Sequence, residues 1–573
     1  MEPRAALGIF DHKTGRYTVY TGIGGVVRQK NELAAILGVE PELVRVITGD
    51  LGGNFGTRNP FYVESALVAW ASRRTGRPVK WTGTRTETFL TDCQARDLAV
   101  RAELAFDRDG HILGLRSTNI GNIGAHTISF IPVTKGVEIM NITYAIPEVF
   151  VTALAVHSNT PPTYPYRSAG RPEVHYVMER LIDMAAVALD MDRVEIRRRN
   201  LVPTSALPYD NRLGMTYDSG EFEANMDIAV RIGDWAGFEA RREASRARGL
   251  LRGMGVANYI DLSTGVPYER SEIDIRGDDE RVDVVIGTVD AGQGHGTSFG
   301  QVVADLFGQE LDSINLLQGD TDTVKVGGGT HSGRSMRMGT IVMIQAADEI
   351  IAKGKRIAAH VLEAAVEDMD FTGGSFTVTG TDRSLGLYET ARVAKTREDI
   401  PEDLRGSLRA NAQIELRRAV FGNGTQVCEV EVDAETGKVE LMRLAAVDDV
   451  GRAINPLLIH GQTHGGIAQG AGQALMEDCA YDPASGQMRA ATFLDYAVPR
   501  ADDLPYFDTQ ITEVPSDANP LGIKPGSEGG TAPAPAVITN AIVDALAELG
   551  VRHVELPASP ERVWRAIQEA REN

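Results

Sequence analysis

The chain has 573 residues, with 58 Lys and Arg against 79 Asp and Glu, giving a formal net charge of −21. That length is enough for roughly two to four domains with ample cores, and 43% apolar with 24% charged residues is an ordinary globular balance. The acidic surplus argues against nucleic acid, because non-specific affinity for a phosphate backbone needs clustered Lys and Arg.

Strand-like and helix-like stretches alternate through the first part of the chain. Residues 17–21 alternate as a strand, 30–37 read as a helix with Leu33, Ile36 and Leu37 on one face, and 44–48 form a short strand running into a glycine loop. Residues 65–74 are helical and 79–82 extended; 98–106 and 112–119 form a hairpin around Asp107-Arg-Asp-Gly110. A long helix over 173–189 precedes the basic stretch 192–199. The Pro- and Gly-bearing residues 201–220 mark a boundary, dividing the chain into domains 1–205 and 206–573.

The second part opens with an Arg-rich helix over 227–248. An apolar strand, 282–289, then meets Gly292-Gln-Gly-His-Gly296 and a helix over 297–306 with Phe299, Val302, Val303 and Leu306 at helical spacing. Strand, glycine loop and helix N-terminus together offer free N–H groups to phosphate. A long helix covers 339–369, charged residues 392–409 form a surface excursion, and 427–432 pairs with 439–448 through Thr436-Gly437. The fold class is α+β, with two large mixed domains.

Sixty glycines, about a tenth of the chain against a typical ~7%, gather at 22–25, 52–56, 292–296, 327–333, 465–472 and 526–530. Each alone reads as a tight turn. Together, following apolar stretches, they favour a large polyanionic or phosphate-bearing ligand, since glycine lets backbone N–H groups approach closely. Cys93, Cys428 and Cys479 are too few for one four-thiolate iron–sulfur cluster and form no Cys-x-x-Cys zinc pattern. They suit a reducing compartment. No apolar run nears the ~18 residues of a membrane span, and residues 1–7 have no signal-peptide character, which points to a cytoplasmic protein. Nucleophile-elbow, His-Glu-x-x-His and phosphate-loop motifs are absent, so any metal is expected inside a cofactor, without protein ligands.

Further segments carry a more specific signal. In order they are Met1-Glu-Pro-Arg-Ala5, Gly52-Gly-Asn-Phe-Gly56, Gly76-Arg-Pro-Val-Lys-Trp81, Tyr166-Arg-Ser-Ala-Gly-Arg-Pro-Glu173 and Met178-Glu-Arg-Leu-Ile-Asp183. Arg197-Arg-Arg-Asn-Leu201, Gly292-Gln-Gly294, Gly319-Asp-Thr-Asp322 leading into 327–335, Asp448-Asp-Val-Gly451, 461–470 and Lys524-Pro-Gly-Ser-Glu-Gly-Gly-Thr531 follow. Over nearly its whole length the chain thereby resembles the molybdenum-binding large subunit of the xanthine oxidase family of molybdenum hydroxylases. That family includes aldehyde oxidases, purine and N-heterocycle hydroxylases and aerobic carbon monoxide dehydrogenase.

The resemblance implies two molybdopterin-binding domains of the aldehyde oxidase/xanthine dehydrogenase type. They hold a molybdenum cofactor, in bacteria usually molybdopterin cytosine dinucleotide, through glycine-loop N–H groups. Gly53, Asn54, Phe55 and Gly56 match the loop beside the molybdenum oxo ligand. Gly292, Gln293 and Gly294, then Thr330, Gly333, Arg334 and Ser335, match pterin and dinucleotide contacts, as do Gln469, Gly526 and Ser527. Glu528 matches the general base next to the metal and Arg167 the active-site loop arginine. Asn59, Phe150, Tyr166 and Ser168 fall at substrate positions.

Departures from the family narrow the chemistry that the resemblance implies. Carbon monoxide dehydrogenases carry a copper-binding cysteine where this chain has Ser168, which disfavours that reaction. Purine hydroxylases use Glu and Arg where Asn59 and Phe150 stand, which removes a purine clamp and leaves an aldehyde, a ketone-like compound or an N-heterocycle. The glutamine that hydrogen-bonds the oxo ligand falls at Gly24. The chain begins where the first molybdenum-binding domain begins, so a hammerhead-domain chain is an expected separate partner. The expected reaction is hydroxylation of an electron-poor C–H carbon with water as oxygen source, electrons passing to [2Fe-2S] and FAD partner subunits. The alternative is a non-catalytic or truncated fragment that keeps the fold and binds only cofactor or partners.

Overall fold

Two long strands, Leu251–Ser263 and Val420–Val432, form the spine of the computed structural model, which describes residues 2–572. They pair antiparallel along their whole length; Val439–Asp449 adds a further antiparallel strand and Phe507–Thr512 a parallel one. The alternation of a strand deals residues to two cores. Val256, Ile260, Val427 and Ala445 pack with Met178 and Ile182 of helix Arg171–Ala188 and Met226 of helix Phe222–Ile232. Ala257, Cys428, Leu444 and Ala446 pack instead with Ile467 of helix Pro456–Leu475 and Val537 and Ala541 of helix Ala534–Leu546. Gly253 and Gly255 let that second layer close: a Cβ would lie 2.0 Å from Ala541 O at the first and 2.3 Å from Val537 O at the second.

The first core takes Ile112, Ile142 and Val174 from before residues 201–220 and Met254 and Phe421 from after them, so both parts of the chain share an interior. A second sheet, ordered Ile314–Leu317, Arg281–Ile286, Tyr268–Arg276 and Leu408–Glu415, carries helices His295–Phe307 and Arg334–Val361. The N-terminal sheet is backed by helices Val26–Leu37 and Val63–Thr75. It joins the second sheet's domain through Thr48 N–H, which donates to Gly319 O at 2.8 Å, and the Arg45–Asp320 pair at 2.5 Å. The α+β class expected from the sequence is the one observed.

Some stretches differ from the sequence reading. Residues 227–248 are broken into Phe222–Ile232 and Phe238–Arg246, because Asp234 takes a left-handed φ of 52° between them. The helix expected over 339–369 is Arg334–Val361; Glu363 at φ 47° turns the chain, and Met369–Thr372 pairs as a strand with Ser375–Val378. Residues 392–409 are no mere surface excursion, since Ile400, Leu404 and Leu408 are buried in the core beside helix Arg334–Val361.

Within the first core the fully buried Arg197 pairs with Glu179 and Asp183, each at 2.7 Å, and Tyr144 Oη donates to Glu179 at 2.6 Å. Removing one partner of a buried pair strands charge, at a cost of about 3–5 kcal/mol. Arg197→Met is expected to lose stability on that scale in urea unfolding. An unchanged midpoint would show that the network contributes nothing.

Candidate active site and cofactor cavity

Between the layers lies a cavity of about 710 Å³, inside the roughly 300–1,000 Å³ of small-molecule and cofactor sites. Loops drawn from both parts of the chain line it, at 24–25, 54–56, 164–169, 291–293, 328–333 and 523–528. Gly56, at φ 112°, seats the first of the long loops: its Cβ would lie 2.0 Å from Pro165 O. Arg167 N–H donates to Phe55 O at 2.9 Å, and Phe55, Tyr164 and Tyr166 form an aromatic wall there.

Glu528 stands at the edge of this space, 9% exposed. Ser168 and Ala169 take positive φ, 72° and 26°, an uncommon backbone state for non-glycine residues. That turn brings Ser168 N–H to Glu528 Oε1 at 2.9 Å. Arg171, opening helix Arg171–Ala188, donates from Nη2 to Glu528 Oε2 at 2.6 Å and reaches Asp261 Oδ1 from Nη1 at 2.9 Å. Both Glu528 oxygens are thus oriented, one by a charged donor. Gly529 and Gly530 allow the loop to press inward, since a Cβ on either would lie 2.3 Å from a neighbour, Tyr259 Oη or Thr463 O respectively. Lys524 pairs with Asp449 at 2.7 Å, both side chains fully buried, and pins the start of the loop.

Asn54, Phe55, Gly56, Asn59, Tyr166, Arg167, Gly292, Gln293, Thr330, Gly333, Ser335, Gly526, Ser527 and Glu528 all line the cavity. Other candidates stand behind it. Gly53 backs Phe55, Gly294 packs on Leu458, and Gln469 accepts from Arg167 Nη1 at 3.0 Å. Arg334 is fully buried and spends its guanidinium on Glu269 at 2.8 Å and on the carbonyls of Val266, Tyr268 and Gly329, so it braces the ligand-facing loop. Ser168 buries its hydroxyl, which donates to Glu528 O at 3.0 Å, and forms no substrate wall. Phe150 lies outside the cavity, 65% exposed on strand Val149–Val156.

Arg167 faces the cavity, yet its donors are committed to Ser527 O at 2.8 Å, Gln462 O at 2.8 Å and Gln469. It clamps the Ser527–Glu528 backbone to helix Pro456–Leu475, and burial pulls its pKa down. Its part is to position the loop. The sequence reading did not reach Asp261, although a carboxylate inside the apolar run Tyr259-Ile-Asp-Leu262 was a signal. It assigned no role to Arg171, His295 or His331. Burial pulls these histidines down to about 4 and about 3, so both line the cavity as neutral imidazoles.

The residues fit a phosphate-bearing pterin. His295 Nδ1 and Ser335 Oγ are buried, belong to cavity-lining residues and have no partner among the described residues; buried polar atoms are nearly always satisfied. Ser335 stands in the first turn of helix Arg334–Val361, an end that favours phosphate, and His295 in the first turn of helix His295–Phe307. Asp290 already takes the N–H groups of Gly292, Gly294 and Gly296 at 2.9–3.3 Å. That loop therefore offers bare glycine surface, and a Cβ on Gly292 or Gly296 would meet nothing within 4 Å. Elsewhere in the cavity, Gly24 leaves a space that the bonded amides of Asn54 and Asn59, 3.1 Å apart, fill. A Cβ at Gly24 would lie 2.1 Å from Asn54 Nδ2 and 2.2 Å from Asn59 Oδ1. Among the described residues no cluster of His, Cys, Asp or Glu could hold a metal ion directly.

The molybdopterin cofactor-binding domain family matches residues 1–201 and 229–505. The carbon monoxide dehydrogenase large chain of Hydrogenophaga pseudoflava is 31% identical over 595 residues, covering 99% of this chain and 73% of that relative. This chain belongs to the xanthine oxidase family of molybdenum hydroxylases. Its similarity to other members of the family is as extensive. Subunit gamma of the 6-hydroxypseudooxynicotine dehydrogenase complex of Paenarthrobacter nicotinovorans is 31% identical over 577 residues, 99% of this chain and 72% of the relative. The structure of quinoline 2-oxidoreductase from Pseudomonas putida 86 superposes with a TM-score of 0.93 at 31% identity, covering 99% of this chain and 74% of that one. The chain is the molybdenum-cofactor subunit of an oxidoreductase of this molybdenum hydroxylase family.

In this molybdenum hydroxylase subunit Gly24→Gln is expected to collide with Asn54 and Asn59, costing roughly 1–3 kcal/mol of stability by overpacking and lowering molybdenum content by elemental analysis. Adding Asn59→Gly should restore both. Wild-type molybdenum and stability in the single variant would contradict this packing.

Proposed function

We propose that this subunit hydroxylates an electron-poor C–H carbon of an aldehyde or N-heterocycle, using molybdopterin cytosine dinucleotide and water as the oxygen source. The observation that carries this reading is Glu528, a nearly buried carboxylate held at the cavity edge with both oxygens oriented. The bound molybdenum centre would supply the transferable oxygen and take up two electrons. Gly292, Gln293, Thr330, Gly333, Ser335, Gly526 and Ser527 would hold its pterin and phosphates, with Asn54 and Gly56 beside the metal.

Glu528, at the cavity edge, would accept the proton that the hydroxylation releases, as a general base. Arg171 and Ser168 N–H keep its oxygens in place, and Arg167 keeps its loop in place. Phe55, Tyr164 and Tyr166 give a flat substrate an apolar wall and keep water from it. Burial pushes Tyr166 up to about 12, so its hydroxyl stays protonated and able to donate. Asn59 adds a neutral amide where an ion pair would select a purine.

The electrons must leave the site. Cys93, Cys428 and Cys479 are free and separate, so we assign the [2Fe-2S] and FAD carriers to partner subunits in the cytoplasm. Relatives named as a large chain and a complex subunit support this assembly. No helix among the described residues is long and apolar enough to cross a membrane. Carbon monoxide oxidation is the second reading, favoured by the similarity to the Hydrogenophaga large chain. Ser168 offers no thiol to copper, and its hydroxyl is already bonded to Glu528 O.

Glu528→Gln is expected to retain molybdenum and nucleotide while turnover with an artificial electron acceptor falls about 10²–10⁴-fold. Aldehydes, N-heterocycles and carbon monoxide are the substrates to compare. A near wild-type kcat in the variant would remove Glu528 from the reaction.

A further inference from the structure

Asp261 is a buried carboxylate with no task in the reaction as described so far. It lies in strand Leu251–Ser263, its side chain 1% exposed, on the face that alternation also gives to Ala257 and Tyr259. Oδ1 lies 2.9 Å from Arg171 Nη1 as an ion pair and accepts from Leu262 N–H at 2.9 Å, whereas Oδ2 is buried with no partner among the described residues. Arg171 is itself enclosed, and its hydrogen bonds run from Nη2 to Glu528 Oε2 at 2.6 Å, from Nε to Ser168 O at 2.6 Å and from Nη1 to Leu262 O at 2.5 Å. One guanidinium therefore bridges two carboxylates, one at the cavity and one behind it.

We propose that Asp261 is a positioning residue for Glu528: by sharing Arg171, it sets how strongly that guanidinium holds the Glu528 carboxylate. This rests on Glu528 acting as the base. The charged or titratable groups facing Asp261 are Arg171, Glu528, Arg167 and Tyr259. Burial acts most strongly and pushes Asp261 up to about 7, against the pull of Arg171 and with the help of Glu528. Oδ2 receives no donor that would stabilise a negative charge. While Asp261 holds a proton, the full charge of Arg171 bears on the Glu528 carboxylate. Once Asp261 ionises, Arg171 is shared between two negative groups and holds the Glu528 carboxylate less tightly, freeing it to take the proton of the reaction. The sign for stability is fixed by the same shift: a carboxyl raised in the folded chain contributes fully below the ordinary carboxylate range, and the contribution is lost as pH rises through about 7.

Infrared titration of the full chain reads the coupling without turnover. The wild-type chain should show a buried carboxylic-acid C=O band that converts to carboxylate near pH 7 and is missing from Asp261→Asn. Coupling between two sites is reciprocal. Glu528→Gln, which removes a neighbouring negative charge, should therefore move the titration of that band down by about one pH unit. This variant keeps Asp261, so the test holds even if Asp261→Asn does not fold. On the cofactor-loaded enzyme at equal molybdenum content, turnover should rise with pH across the same step. Asp261→Glu should keep that rise and Asp261→Asn should lose it. A band that titrates at the same pH with and without Glu528 would overturn the proposal and leave Glu528 as the base. Full turnover in Glu528→Gln would overturn the role of the base and leave the infrared coupling standing.

Discussion

The ion pair between Arg171 and Glu528, 357 residues apart in sequence, is the join around which the site is built. Arg171 opens one helix packed against the long-strand sheet, and Glu528 sits in the loop before another. A carboxylate so far from water without its partner would carry an uncompensated charge, at a cost of several kcal/mol. With the partner, it faces the cavity in one orientation. The positive φ at Ser168, the clamp of Arg167 on Ser527 and the glycines at 529 and 530 all serve that placement.

A chain of net charge −21 holds a polyanionic cofactor by local means. Net charge acts weakly beyond a Debye length of about 8 Å at physiological salt, whereas helix ends and unpartnered donors act at contact. In the proposed reading His295 and Ser335 would supply the donors, and the glycine loop at 292–296 bare surface, because Asp290 has already taken its N–H groups. Elsewhere in the cavity, an amide pair occupies the space that Gly24 leaves empty, and aromatic side chains line the wall beside Gly56. Affinity and chemistry are thus divided between different loops of one cavity.

Much of this was legible in the sequence wherever one element decides the outcome. The helix at 295–307 showed its apolar spacing, and most of the glycine clusters are the loops that meet at the cavity. Of the spine strand Val420–Val432 only 427–432 was legible, where Glu429 and Glu431 alternate with Cys428, Val430 and Val432; the glycines and amides before it gave no such pattern, and the whole strand is buried on both faces. Which way a loop side chain turns was also hidden. Ser168 and Arg334 lie in segments that match the family, yet positive φ at 168 and partners such as Glu269 send their side chains inward. Phe150 matched a substrate position by alignment alone, and a strand edge carries it to the surface. Arg171 had no role in the sequence reading; only the fold brings Glu528 and Asp261 to it.

The most direct measurement is molybdenum and acid-released cytidine monophosphate, determined together on the chain purified from its native host. Near-stoichiometric amounts of both are predicted if the cavity holds the dinucleotide as described. A folded chain that carries neither, and takes up neither when produced alongside active cofactor synthesis, would contradict the account.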